Sequence, residues 1–244
     1  MRLYYDLHIH SCLSPCGDGD MTPNNIVNMA RLAELDIIAL TDHNTCGNCP
    51  AILQAAAGSG LVVLPGMELC TAEEAHVVCL FPTLTAALAF EQRVRPALPP
   101  IANRPDIFGE QLLMDAGDNV VGREDVLLTT ACAIPVDDVP ALARSLGGTA
   151  FPAHIDRPSY SVTAALGDIP PVGFRAAEIT AAGDAQQMKT LYPSIADMPL
   201  LLDSDAHYLH QISEAGPWLD LPDRSPESVI AALDGRVACQ WGRF

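Results

Sequence analysis

The chain has 244 residues, 49% of them hydrophobic, with 13 basic against 30 acidic side chains and a formal charge of −17. This is enough apolar residue to fill the core of one α/β domain, and it sets aside intrinsic disorder. The acidic balance argues against a long nucleic acid as partner, which needs a basic footprint to displace counterions, and it is compatible with bound divalent cations.

Leu3, Tyr5, Leu7 and Ile9 alternate with Arg2, Tyr4, Asp6, His8 and His10, the period-2 pattern of a strand. Residues i and i+2 share a face, so His8 and His10 project side by side. By itself this HxH is either a metal chelate or a pair of solvated surface histidines. A loop from Ser11 to Met21 follows, carrying Cys12, Cys16, Asp18 and Asp20. Thr22 then caps a helix that starts with Pro23.

The pattern continues with a short buried strand, Asp36 to Leu40, ending in Thr41-Asp42-His43-Asn44. A helix from about Pro50 to Ala57 leads to a strand, Leu61 to Leu64, ending at Pro65-Gly66-Met67-Glu68. The next strand, Ala75 to Leu80, carries His76. Beyond it, residues 82–148 read as an inserted or lid segment: a helix from Leu84, a Pro- and Gly-rich excursion from Pro99 to Gly122, and a short helix from Asp137 to Leu146. A strand at 149–153 delivers His154, Asp156 and Arg157. Strands near 176–179 and 200–202 follow, the second leading into Asp203-Ser204-Asp205-Ala206-His207. A last helix capped by Ser225 and a strand from Arg236 to Trp241 complete the chain.

Strand–helix–strand alternation with buried apolar strands predicts a parallel α/β sheet or barrel, whose chemistry gathers where strands end. No apolar run approaches the about 18 residues of a membrane span, and no basic segment precedes an apolar one at the start. The chain is therefore expected to be soluble and cytoplasmic, without a membrane partner; its oligomeric state is not readable. Eight cysteines in such a protein are expected to be reduced. Cys12-x3-Cys16 and Cys46-x2-Cys49 follow the first two strand ends, and are either free loop thiols or a structural metal site.

Five of the seven histidines, His8, His10, His43, His154 and His207, stand just past a predicted apolar strand. With Glu68 and Asp205 they offer imidazole and carboxylate, a donor set suited to Zn, Mn or Fe. The ordered motifs Asp6-Leu7-His8-Ile9-His10-Ser11, Thr41-Asp42-His43-Asn44, Pro65-Gly66-Met67-Glu68, then His76, His154 and Asp205-Ala206-His207 closely resemble the PHP (polymerase and histidinol phosphatase) superfamily, in its stand-alone phosphoesterase form. The resemblance implies a single domain over 1–244, folded as a distorted (β/α)7 barrel with an inserted segment. It also implies two or three divalent metal ions: one on His8, His10, Glu68 and Asp205, a second on Glu68, His76 and His154, and a third on His43, His207 and an acid of the first loop. Asp18 is the expected acid, with Asp20 as its rival.

The activity so implied is hydrolysis of a small phosphorylated metabolite, a nucleotide or sugar phosphate, by a metal-activated hydroxide. Arg157 is a candidate phosphate-binding fork or a rim ion pair. Asp42 is a candidate to orient a ligand or the attacking water, or a turn-capping aspartate. A histidinol phosphatase and a non-catalytic metal-binding regulatory module are the competing readings.

Overall fold

In the computed structural model, which describes residues 1–242, the elements follow in the order β1 (Arg2–Ile9), α1 (Pro23–Leu32), β2 (Ile37–Leu40), α2 (Cys49–Ala55), β3 (Val62–Cys70), β4 (His76–Leu80), α3 (Leu84–Val94), α4 (Pro105–Phe108), β5 (Leu112–Met114), β6 (Val120–Arg123), α5 (Val139–Ser145), β7 (Thr149–Pro152), α6 (Val162–Leu166), β8 (Ala177–Ile179), α7 (Ala185–Leu191), β9 (Leu200–Leu202), β10 (Trp218–Asp220), α8 (Pro226–Leu233) and β11 (Gln240–Gly242). Helix starts fall where capping chemistry puts them: Thr22, Thr83, Ser161, Asp184 and Ser225 each accept a backbone N–H of the first turn.

A curled sheet runs in the order β11-β10-β1-β2-β3-β4-β7, with β8 and β9 as a separate pair. Ile155 N–H donates to Glu178 O (2.8 Å) and His10 N–H to Ala206 O (2.9 Å), which joins that pair to β7 on one side and β1 on the other. Strands β1, β2, β3, β4, β7, β8 and β9 thus surround a distorted barrel. The sheet is not all parallel as expected. β4 runs antiparallel to β3 and to β7, because the turn between β3 and β4 is too short for a parallel crossover. β3 is also longer than its apolar run suggested, continuing through Pro65 and Gly66 to Cys70, so Glu68 lies within a strand.

Apolar side chains pack on both faces of the curled sheet. Leu3, Tyr5, Leu7, Ile37, Ala39, Leu64, Val78, Leu80, Phe151 and Leu201 form one buried cluster, to which α8 adds Val229, Ile230 and Leu233. Ile9, by contrast, belongs to the other cluster, with Ile38, Leu40 and Val63 and residues of α1, α2 and α3. The switch has a local cause. The β1–β2 register pairs Asp6 with Ile38 and Ile9 with Leu40, three residues against two, a bulge that reverses which face the next side chains use. Beyond the bulge His8 and His10 turn inward above the apolar plug, and both are fully buried.

The 82–148 stretch contains ordinary barrel helices at its ends and a small β5–β6 hairpin between them. The hairpin is bonded to the first loop: Leu112 N–H donates to Cys12 O at 3.0 Å, and Met114 N–H to Asn48 Oδ1 at 2.9 Å. A side chain at Gly109 would meet Pro15 O at 2.0 Å, so the two segments touch backbone to backbone. β10, which the sequence reading missed, pairs antiparallel with the outer edge of β1. Among the described residues no helix is long and apolar enough to cross a membrane.

Candidate metal centre

Glu68 stands at the middle of the polar layer. Its Oε1 faces His8 Nε2 (3.3 Å), His76 Nδ1 (2.8 Å) and His154 Nε2 (3.2 Å), while its Oε2 faces His10 Nε2 (3.3 Å) and His43 Nδ1 (2.9 Å). One buried carboxylate is thereby shared by five imidazoles from four chain segments. Asp205 Oδ1 lies 3.4 Å from His8 and 3.1 Å from His10, and its Oδ2 pairs with Arg157 Nη1 at 2.6 Å.

Three groups among the described residues have ligand atoms all within 4.8 Å of one another: His8, His10, Glu68 and Asp205; His43, Glu68 and His76; and His10, His43 and His207. The first is the set implied by the resemblance. In the second, His43 stands with Glu68 and His76 where His154 was expected, although His154 also approaches Glu68. The third lacks the expected acid. Asp18 Oδ1 accepts Asp20 N–H in a loop turn at 2.9 Å, and neither acid enters any group.

The residues fit divalent ions. His43 Nδ1, Glu68 Oε2, His154 Nδ1 and Asp205 Oδ1 are buried without a hydrogen-bond partner, which is costly in a polar cluster unless a cation takes up those lone pairs. The backbone is also held in unusual conformations here, with φ of 31° at His154, 51° at Asp205 and 52° at Asn44. Non-glycine residues adopt such angles only where surroundings impose them.

Burial alone would raise the Glu68 pKa, but His76, His8 and His43 beside it outweigh that and hold it well below the carboxylate range. Burial likewise opposes charge on His8, His10 and His43, but the carboxylates facing them prevail, and His10 and His43 are raised to about 9. His76 and His207 are lowered, chiefly by burial, His207 to about 3.

The signs give a pH profile for the metal-free protein. Groups raised above 6.5 lend stability that is complete below that pH and is lost as pH rises through about 9. The lowered carboxylates Glu68 and Asp205, and the lowered His76 and His207, lend stability that is lost on acidification. Chelated protein is therefore expected to melt at its highest temperature near pH 6.5, with the alkaline decline removed by added metal, which takes the neutral imidazoles. Thermal melts with and without chelator check this; a melting temperature that climbs from pH 6.5 to 9 in chelator would contradict it.

Asp42 does not face the centre. Its oxygens accept Ser11 N–H (2.7 Å), Ser11 Oγ–H (2.6 Å) and Ser14 Oγ–H (2.7 Å), and Ser14 Oγ in turn contacts His10 Nδ1 at 2.9 Å. It positions the first loop and, through Ser14, the His10 ring. Asp6 and Asp203 knit β1 to the segment after β9, through Ser204 N–H at 3.0 Å and Leu7 N–H at 2.6 Å.

Sequence reading missed Glu178. It is buried, and its oxygens hold His8 Nδ1 at 2.8 Å and His154 N–H at 3.0 Å. A glutamate in the middle of the apolar strand Ala177-Glu178-Ile179 was the available signal.

The four-cysteine site is not formed. The thiol of Cys46 points to Gly66 O (3.2 Å), that of Cys49 to the same carbonyl (3.6 Å) and that of Cys12 to Leu112 O (3.9 Å). Burial pushes Cys12 up to about 12, the reverse of what a thiolate ligand needs. All eight cysteines are free.

Residues 6–119 match the PHP domain family, so the resemblance read from the motifs is borne out there. A 5'-3' exoribonuclease of Salmonella typhimurium is 37% identical over 76 residues, 30% of this chain and 25% of that protein. A 3',5'-nucleoside bisphosphate phosphatase of Chromobacterium violaceum is 36% identical over 73 residues, 30% of this chain and 25% of that protein. The matched part thus spans about a quarter of the length of these curated relatives. Among solved structures, an endonuclease Q in complex with a 27-mer duplex bearing an abasic lesion at the active site superposes with a TM-score of 0.72 at 18% identity, covering 98% of this chain and 58% of that one.

The exoribonuclease and endonuclease likenesses overturn the expectation of a small phosphorylated partner with long nucleic acid excluded, since by their names those two proteins act on nucleic acid. The physical error lay in using net charge. Asp6, Asp42, Glu68, Glu178, Asp203 and Asp205 are buried acids in and around the centre, and they say little about the field at its mouth.

Proposed function

We propose that this chain, with its PHP domain match over residues 6–119, is a metal-dependent phosphoesterase that hydrolyses phosphoester bonds of a nucleic-acid strand. The observation that carries the reading is the convergence of His8, His10, His43, His76 and His154 on the two oxygens of Glu68, with Asp205 alongside. Divalent ions bound there supply Lewis-acid polarisation of a phosphoryl oxygen and a water acidic enough to deprotonate near neutral pH. Two carboxylates against two or three divalent cations leave a net positive centre, able to draw a phosphodiester toward an otherwise acidic protein. The exoribonuclease and endonuclease likenesses support this substrate class.

The chain's own residues then bind and orient. Arg157, with its side chain 43% exposed, is tethered to Asp205, and its free guanidinium edge is placed to hold a phosphate oxygen. Tyr160 is 53% exposed, in the left-handed region at φ 55°. Its carbonyl accepts His76 N–H at 2.9 Å, and its ring lies 5.1 Å from the His76 ring. A tyrosine held in that conformation over a metal-ligating imidazole offers a face on which a base stacks.

Purified protein loaded with Mn, Zn or Fe is expected to shorten end-labelled RNA or DNA oligonucleotides, with product ladders separating terminal from internal cleavage. No cleavage of single- or double-stranded substrates by protein that demonstrably holds its metals would overturn the proposal and leave the regulatory module. For Tyr160→Ala, KM for an oligonucleotide is expected to rise about tenfold with kcat little changed, while Tyr160→Phe stays close to wild type. An equal loss in both variants would point to the hydroxyl instead of the ring.

A further inference from the structure

A groove of about 430 Å³ opens beside the metal centre, between the segment after β7 and helix α7. Its rim toward the centre is Arg157, whose Nη1 is tied to Asp205 Oδ2 at 2.6 Å. Both walls follow from the barrel. Ile155 to Pro158 leave the C-terminal end of β7, and Ala182 to Asp184 that of β8, so they begin at the face that carries the imidazoles. From there the groove runs along α7, past Gln187 and Met188 to Leu191 and Tyr192. Its size falls within the roughly 300–1,000 Å³ of small-molecule pockets.

Most polar groups of the walls are already used. Asp156 accepts Thr180 N–H (2.9 Å) and Thr180 Oγ–H (2.6 Å), Asp184 Oδ1 accepts Gln186 and Gln187 N–H, and Thr163 donates its hydroxyl to Ile155 O. A side chain at Gly183 would meet Asp156 Oδ2 at 2.7 Å, so a glycine lets the β8 loop lie against the β7 segment. By contrast, the Gln187 amide and the Tyr192 hydroxyl have no partner among the described residues, and Arg157 has engaged one nitrogen of its fork. Between them lie the apolar side chains of Ile155, Met188 and the exposed Leu191. A largely apolar slot with two free hydrogen-bonding groups and a guanidinium at its mouth suits a flat heteroaromatic ring joined to a phosphate. Tyr160, which rests on His76, is not one of its walls. The groove is thus a second place for a base, reached from the same arginine.

We propose that this groove holds the nucleoside next to the phosphate bound by Arg157, with Gln187 and Tyr192 reading the edge of its base. The inference rests on the phosphoesterase reading and makes the two flanks of the cleaved bond differ: one base on the Tyr160 ring, the other between the β7 segment and α7. A glutamine amide both donates and accepts, so it distinguishes bases by their edges, whereas stacking on Tyr160 tolerates any base.

Short oligonucleotides with each of the four bases, or an abasic residue, on one side or the other of the cleaved bond test this on the metal-loaded full chain. Wild type is expected to show a base preference on one side, with kcat/KM about tenfold lower for an abasic residue there. Gln187→Ala should flatten the preference at that position. Ala164→Trp, which fills the groove from its α6 wall, should erase the abasic penalty. Tyr160→Ala should act on the opposite side. Ala164 and Gln187 are both exposed, so neither substitution disturbs the core, and circular dichroism verifies folding. Cleavage by wild type without base preference on either side, or an unchanged preference in both Gln187→Ala and Ala164→Trp, overturns the groove assignment while leaving the phosphoesterase reading in place. The same holds if Gln187→Ala and Tyr160→Ala alter one and the same position. No cleavage of any of these oligonucleotides by wild type that holds its metals overturns both.

Discussion

Glu68→Gln is expected to lower phosphoesterase activity by roughly a thousandfold or more and to remove most bound metal. The glutamine keeps the volume but loses the charge, and one of its two terminal atoms becomes an N–H donor. Whichever way the amide turns, that donor faces imidazole nitrogens: His8, His76 and His154 on one side, or His10 and His43 on the other. No orientation leaves both ligand sets served. In the absence of metal the same change removes the counter-charge of buried imidazoles, and breaking a buried ionic contact costs about 3–5 kcal/mol. Metal analysis together with melts in chelator would check both halves. A Glu68→Gln protein that retains its full ion count would show that the carboxylate is not the shared ligand.

Glu178→Ala is expected to lower activity and metal affinity by about 10–100-fold, although Glu178 appears in none of the ligand groups. His8 donates Nδ1–H to Glu178, which fixes the tautomer that leaves Nε2 free toward Glu68 and Asp205. The other Glu178 oxygen accepts His154 N–H and holds that residue at its φ of 31°. Truncation strands two buried donors, at about 1–3 kcal/mol each, and releases one ligand ring and one strained backbone. Glu178→Gln, which can still accept at one oxygen, should fall between wild type and alanine. Calorimetric metal titration separates the two effects. Lower stability with unchanged metal affinity would mean that Glu178 acts on packing alone.

The motifs carried much of the site. His8, His10, His43, Glu68, His76, His154, Asp205 and His207 were all legible as donors, because a chain that places imidazoles and carboxylates just past apolar strands has few structural reasons to do so. What spacing could not show was local. Asp18 was preferred to Asp20 because it stands nearer the strand end and begins an Asp-Gly turn, and spacing does not show that its Oδ1 accepts Asp20 N–H. Asp42 was read either as orienting a ligand or the attacking water or as capping a turn, and spacing alone does not show that its oxygens hold Ser11 and Ser14 and, through Ser14, the His10 ring. Glu178 was passed over because it interrupts an apolar strand 170 residues from the histidine it orients.

Alternation and capping determined by themselves where most strands and helices lie, since a period of two and a Ser, Thr or Asp before a helix are local properties. Faces and closures were decided in three dimensions. Alternation puts His8 and His10 opposite Leu3, Tyr5 and Leu7. The bulge in the β1–β2 register brings them round to the same interior, above the same plug. No sequence period encodes that inserted residue, because it depends on what β2 offers in hydrogen bonds. The antiparallel course of β4 likewise lifts His76 to the end of the barrel where Glu68 waits, and only the pairing of strands across the barrel could set that.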